Sequence, residues 1–266
     1  MTLIHSRRLP ALFLGAACLV SCCAAANAAE VLFKDDFQIA PDGKTLADIN
    51  KGARDHQRGT LAPVAYASSG DGWQCKVYMD SSGGRGIRLY PSGNRIPLVL
   101  SPAWKLSEKP GDYSLALQIQ PRSWMNSEEP EKILVAVGTA GIGGIAGAPS
   151  DFAGAVLVEI TIDRTKGTRS LRVLFDRAEA APPVALSGWS DLTEPHDVAL
   201  RWKQAASRRV ESLSVEVDGA KAVSLPKAGF ALRGQAVVFG GQVGPAQQLN
   251  NPFADMTIRS FRYARE

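Results

Sequence analysis

The chain reads as an all-β, two-sheet antiparallel sandwich, and three observations lead there. Apolar and polar residues alternate along many short runs, the pattern of strands with one buried and one wet face. Turn-forming stretches separate those runs, drawing on 25 Gly and 16 Pro in 266 residues. Long amphipathic helical patterning is missing; residues 201–210 come nearest and fit a loop or single turn better. About twelve strand candidates with no helices between them predict two packed sheets.

The N-terminus stands apart from this pattern. Arg7 and Arg8 precede an apolar run over 9–20, and small residues end at Ala26-Asn27-Ala28. A basic start, a short apolar core and a small-x-small site make a secretory signal peptide over 1–28. The run is too short for a comfortable membrane span. Leu19-Val20-Ser21-Cys22 also looks like a bacterial lipobox, which would place a lipid on Cys22 and end the signal before it. Cleavage after Ala28 is preferred, because Ala-x-Ala sits at a proper distance from the apolar core. Either route predicts export, to the periplasm or outside, or with a lipid anchor on the bacterial envelope. Residues 29–266 are then expected to form a single β-sandwich domain.

Without Arg7 and Arg8, 28 basic residues face 26 acidic ones. That balance gives no reason to expect nucleic acid or an anionic membrane surface as partner. Cys18, Cys22 and Cys23 fall in the signal, which leaves Cys75 alone and rules out a disulfide framework. Cys75 alternates in phase with Trp73, Val77 and Met79 and reads as a buried, inert thiol. Nothing in the sequence sets an oligomeric state.

Taken in order, 31–37 opens as a short strand, and 39–64 is polar and turn-rich around Pro41-Asp42-Gly43. Strands follow at 73–79 and 86–90, then a short edge piece at 97–100, since Pro97 cannot donate to a ladder. Over 113–119, Tyr113, Leu115, Leu117 and Ile119 share one face, and Ser114, Ala116 and Gln118 the other. The next strands are 132–137, 155–163 and 168–175. Pairing Ile162 with Leu171 and Ile160 with Val173 leaves Lys166-Gly167 as a two-residue turn. That register sets Thr161 opposite Arg172, with Glu159 on the diagonal. Val198 with Val217, Leu200 with Val215 and Trp202 with Leu213 define a second hairpin, with 203–212 as its loop. Asp218-Gly219 turns the chain, and Val217 is expected to meet Val223. Strands at 235–240 and 256–263 complete the set.

The last third carries a family resemblance. His196-Asp197-Val198-Ala199-Leu200-Arg201-Trp202 is followed by Leu213-Ser214-Val215-Glu216-Val217-Asp218-Gly219, by Val238-Phe239-Gly240-Gly241, and by Pro252-Phe253-Ala254-Asp255 leading into Ile258 and Tyr263. This order resembles the laminin-G-like branch of the concanavalin A-like lectin/glucanase superfamily, and Phe33-Lys34-Asp35-Asp36-Phe37 resembles how such domains begin. The resemblance implies a concanavalin A-like jelly roll whose first and last strands are neighbours. It also implies a concave face or loop rim that in relatives often binds or cleaves carbohydrate. The acidic pair closing the family pattern falls on Arg259 and Ser260, so no calcium or acidic site is carried to that position. No cofactor is expected; a structural calcium has no support in the sequence.

Sharper chemistry mostly yields to plainer accounts. Glu216-Val217-Asp218 resembles the start of the superfamily's glucanase motif, but Gly219-Ala220-Lys221 follows and the second Glu is missing. Glu159 and Asp163 share a face about 13 Å apart, too far for an acid and nucleophile pair. Glu159 with Thr161 and Arg172 reads as a cross-strand salt bridge. Gly141-Ile142-Gly143-Gly144-Ile145-Ala146 lacks the helix that a dinucleotide fingerprint needs. His56, His196 and Cys75 have no metal-ligand spacing, and Lys203, Arg208 and Arg209 read as a solvated loop. Trp104, Trp124 and Trp189 stand in loops, where each is best explained as a plug at the sandwich end. The hairpin around 198–217 therefore builds the core, and a site is expected elsewhere.

These readings converge on an exported, non-catalytic carbohydrate-binding or polysaccharide-associated protein. Its candidate contacts are Arg88, Tyr90, Gln118, Trp124, Glu159 and Arg172, with Arg88, Gln118, Glu159 and Arg172 on a common polar face. A glycoside hydrolase or polysaccharide lyase of the same fold is the alternative, and an envelope structural or adhesion module is the third reading.

Overall fold

The computed structural model describes residues 29–38, 44–70, 75–79, 84–89, 98–123, 130–142, 152–189, 194–243 and 254–266. Residues 1–28, Cys22 among them, and Tyr90 and Trp124 lie outside these residues.

Two antiparallel sheets face each other. Sheet A is ten-stranded. Its main path runs β15 (Ala220–Leu225), β14 (Arg209–Val217), β13 (His196–Gln204), β7 (Gly111–Ser123), β18 (Ala254–Arg265), β1 (Glu30–Asp35) and β2 (Gln57–Arg58). Off that path, β16 (Phe230–Ala231) pairs with β14, and β5 (Arg85–Leu89) joins β18 to β4 (Cys75–Met79). Sheet B runs β11 (Ala178–Glu179), β10 (Thr168–Phe175), β9 (Val156–Asp163), β8 (Glu131–Thr139), β17 (Ala236–Val243), β6 (Leu98–Pro102) and β3 (Tyr66–Ser68), with β12 (Val184–Ala185) on β10. The first and last strands are neighbours, with Phe33 opposite Tyr263 and Asp35 opposite Phe261.

The inward residues are those the alternation selects. Leu115, Leu117, Val198, Leu200, Val215 and Phe261 on sheet A face Val135, Val158, Ile160, Val173 and Phe239 on sheet B, all buried. Aromatic rings fill the gap between sheets: Trp104 stacks on Tyr263 at 4.8 Å, and Phe239 on Phe261 at 4.8 Å. Each such ring fully removed from water contributes about 1.5–3 kcal/mol. Cys75 belongs to this core; burial pushes its thiol up to about 11, the nearby Ser68 hydroxyl acting the other way.

Several registers differ from expectation. In the β13–β14 hairpin, Val198 pairs with Val217, Leu200 with Val215 and Trp202 with Leu213, as the alternation requires. The strands run further, however, to Gln204 and Arg209, so the loop is shorter than ten residues. The β9–β10 pair is shifted by two: Ile160 meets Leu171 and Val158 meets Val173. Its connection is the four-residue turn Arg164–Gly167, stabilised by the Lys166 amide donating to Asp163 Oδ1 at 2.9 Å. That amide, with the Lys166 side chain, holds the Asp163 carboxyl below its usual range. After β14, Val217 pairs with Ala220 and Val215 with Val223 around an Asp218-Gly219 turn. Both turn residues have positive φ, at 51° and 75°, as a two-residue primed hairpin requires. β6 lies between β17 and β3, so it is not an edge strand. Two short helices, α1 (Leu46–Lys51) and α2 (Ala53–His56), occupy the stretch read as turns. Thr45 and Asp48 start α1 through a capping box.

Candidate functional site

Strand parity puts the four candidate residues on outer faces, but on opposite sides of the molecule. Arg88 and Gln118 lie on the outer face of sheet A, and Glu159 and Arg172 on that of sheet B. They therefore form no common face. Alternation fixes whether a side chain points in or out; it does not assign strands to sheets.

On sheet B, the two-residue shift brings Arg172 directly opposite Glu159. A ladder of alternating charge results. Lys132 Nζ is 3.0 Å from Glu159 Oε2, Arg172 Nη1 is 3.6 Å from Glu159 Oε1, and Arg172 Nη2 is 2.9 Å from Glu179. Thr161 Oγ1 also donates to Glu159 Oε1 at 3.4 Å. Both carboxylate oxygens are engaged in this ladder. This is the cross-strand salt bridge expected from the sequence. Beside it, Val99, Leu134, Ala136, Leu157 and Val238 form an apolar patch on the same outer face, packed with Phe152 and Ala155.

His56 and His196 serve the fold. His56 is buried with Asp35, its Nδ1 2.8 Å from Oδ1 and its Nε2 3.2 Å from the Ile49 carbonyl. Tyr66 donates to Asp35 Oδ2 at 2.9 Å, and the Phe37 amide to Oδ1 at 2.8 Å. Burial pulls the His56 value down, but the Asp35 hydrogen bond and charge, with the Ile49 carbonyl, outweigh it and leave it raised. Burial, with the charge and hydrogen bond of Asp35, pushes Tyr66 well above its usual range. His196 lies 2.9 Å from Asp218 Oδ2, which also accepts from Trp189 Nε1 at 3.1 Å. The Asp197 amide donates to Asp218 Oδ1 at 2.9 Å. Asp218 is thus a clasp at a strand end, in keeping with the turn reading of Glu216-Val217-Asp218. Trp104 and Trp189 are plugs, 6% and 1% exposed.

Polar side chains line the outer face of sheet A. Ser114, Arg201, Ser214 and Ser224 form one rung across β7, β13, β14 and β15; Asp112, Lys203 and Ser212 form the next. Serines between long charged side chains leave a trough of about 370 Å³, rimmed by Arg201, Lys203, Lys221 and Glu266. Arg201 is held by Glu216 and Glu266, at 3.2 Å each. Glu266 also accepts from Ser114. The hydroxyls of Ser212, Ser214 and Ser224 have no partner among the described residues. A hydroxyl donates and accepts, so this floor presents both capacities side by side. Gln118 is nearby on the same sheet, donating to Asp197 at 3.2 Å, while Arg88 sits 5.2 Å from the Tyr78 ring centroid. The trough lies on the hairpin that the sequence reading reserved for the core. Its signal is in the polar half of the alternation, once Ser214 is paired with Ser224.

No family model and no curated protein matches the chain. Solved structures do. An alginate lyase Aly36B mutant in complex with alginate trisaccharide has a TM-score of 0.54 at 8% identity, over 89% of this chain and 96% of that one. The endo-1,3-beta-glucanase from Streptomyces sioyaensis has a TM-score of 0.53 at 11% identity, over 91% and 98%. The Emp47p carbohydrate recognition domain has a TM-score of 0.53 at 13% identity, over 77% and 90%. The fold is a concanavalin A-like jelly roll. At these identities the likeness is one of fold, and site residues stand on their own geometry.

Proposed function

We propose that this is an exported, non-catalytic carbohydrate-binding or polysaccharide-associated protein that seats a glycan in the sheet A trough. The unpartnered hydroxyls of Ser212, Ser214 and Ser224 inside a charged rim carry this reading. A sugar presents hydroxyls that each donate and accept, and this floor can answer both. The volume is at the low end for ligand sites, which suits a stretch of one or two sugar units. The names of the structural neighbours, alginate lyase, glucanase and carbohydrate recognition domain, support a relation to carbohydrate. The laminin-G-like assignment has support in the closure of β1 on β18 and in the Val217-Asp218-Gly219 turn. Export follows from the basic, apolar and small-residue order of 1–28, with Cys22 lipidation as the alternative. A Cys22→Ala change that leaves membrane association intact would reject the lipid anchor.

The test is a panel of polysaccharides, scored for retention of the protein and for released sugar ends. Retention without product is expected. Ser214→Phe fills the trough on a wet face, and Arg201→Ala removes part of its rim; each should weaken retention about tenfold, the scale of one or two lost hydrogen bonds, at unchanged thermal stability. Released ends would instead show a hydrolase or lyase. Absence of both across the panel would sink the carbohydrate reading and favour an adhesion or envelope module.

A further inference from the structure

A second depression, of about 340 Å³, opens where the chain leaves β6 and enters β17. Trp104, Lys105, Arg233, Gly234 and Gln235 line it. Its wall is tied down. The Gly234 amide donates to the Gly138 carbonyl at 2.8 Å, and a Cβ at Gly234 would lie 1.8 Å from the Thr139 carbonyl oxygen.

Two of the lining carbonyls are already taken: Arg208 donates to that of Gly234 at 2.7 Å, and the Leu106 amide to that of Gln235 at 2.7 Å. Three of the lining side chains bring donors only. Lys105 is exposed with no partner among the described residues. Arg233 has a 72% exposed side chain and a 3.6 Å approach to Asp176. Trp104 Nε1 is buried and unpartnered, in a ring only 6% exposed. A dry, unmade N–H costs about 1–3 kcal/mol, so a partner for it is expected. The nearby carboxylates are Asp176 and Glu108, the latter accepting from Gln235 Nε2 at 2.7 Å; neither lines the depression.

We propose that this depression is a second binding site, separate from the trough, for the anionic group of an acidic saccharide, a carboxylate or sulfate ester. Lys105 and Arg233 are cations that donate and cannot accept, and their charge favours an anion over a neutral hydroxyl. The saccharide half of the inference rests on the proposed carbohydrate function; the anion half does not.

The experiment titrates the folded protein with sodium glucuronate, with glucose and with inorganic sulfate, followed by calorimetry and tryptophan fluorescence. Glucuronate is expected to bind saturably, to weaken as salt rises, and to outbind glucose and sulfate. Lys105→Ala with Arg233→Ala should weaken it at least tenfold, while glycan retention by the trough stays unchanged. Trp104→Phe deletes the N–H together with part of a buried ring, so a lower melting temperature is expected with it; a loss of about tenfold in glucuronate affinity is expected where the variant is still folded. Equal binding of glucose and glucuronate, or no effect of the double variant, would overturn the proposal. An unchanged affinity in Trp104→Phe would assign that N–H to water and overturn its part. Sulfate competing as well as glucuronate would remove the saccharide half. Glucuronate bound by a protein that retains no glycan would refute the proposed function and leave this site standing.

Discussion

Removing the Asp35 carboxylate should be among the costliest single changes in the molecule. Asp35 is 0% exposed and faces three donors: the His56 ring, the Tyr66 hydroxyl and the Phe37 amide. His56 has an acceptor at each ring nitrogen, Asp35 at 2.8 Å and the Ile49 carbonyl at 3.2 Å, so the geometry asks for a proton on both. Asp35→Ala leaves that buried cation unpaired, and breaking such a pair costs about 3–5 kcal/mol. For a domain of this size each kcal/mol lowers the melting temperature by about 2–4 °C, giving a fall of roughly 6–20 °C. Linkage adds a direction. A folded-state value raised above 6.5 means the His56 contribution is complete below about pH 6.5 and is lost as pH rises through the folded value. The cost of Asp35→Ala should therefore be greater near pH 5.5 than at a pH above the raised folded value, where His56 sheds its proton and only hydrogen bonds are missing. Tyr66 stays a donor over that whole range. Urea denaturation at both pH values, followed by tryptophan fluorescence, measures the difference. A cost below about 1 kcal/mol, or the same cost at both pH values, would refute the cationic His56.

Two further changes probe other parts of the fold. Asp218→Gly keeps the positive φ of the turn and deletes only the clasp on Trp189, His196 and the Asp197 amide; it should cost about 1–3 kcal/mol and alter the near-ultraviolet signal of Trp189. A urea midpoint equal to that of the parent would show that the clasp contributes nothing. In a protein beginning at Ala29, the Cys75 thiol, held up to about 11 and buried, should resist iodoacetamide at about pH 8 until urea unfolds the chain. Rapid labelling of the native protein would mean that strand β4 opens.

The limits of the sequence reading have physical causes. Alternation of period two identifies faces and is blind to a shift of two residues. The β13–β14 register pairs Trp202 with Leu213 as expected, although a two-residue shift would have matched the same faces. The β9–β10 register differs from the expected one, because a two-residue shift keeps Ile160 and Leu171 inward and only the Asp163 turn decides between the alternatives. The bulge between Val215 and Glu216 displaced Val223 in the same way. Helices of six and four residues are too short to show a helical period. The same blindness grouped Arg88 and Gln118 with Glu159 and Arg172, since strand order is set by long-range pairing. Ser212, Ser214 and Ser224 are unremarkable one at a time; they become a floor only when β14 and β15 are laid side by side.

The placement of β18 bears on when this fold can exist at all. These twelve residues form a central strand, flanked by β7 and β1 and joined by β5. Until they have been synthesised, β1 and β7 have no ladder between them, and the Trp104 ring lacks its Tyr263 partner. Closing the sheet joins the two ends of the described chain, the most expensive loop in entropy and a contact of very high sequence separation. Assembly of sheet A therefore waits on β18, and a chain lacking that strand leaves β1 and β7 without their shared neighbour.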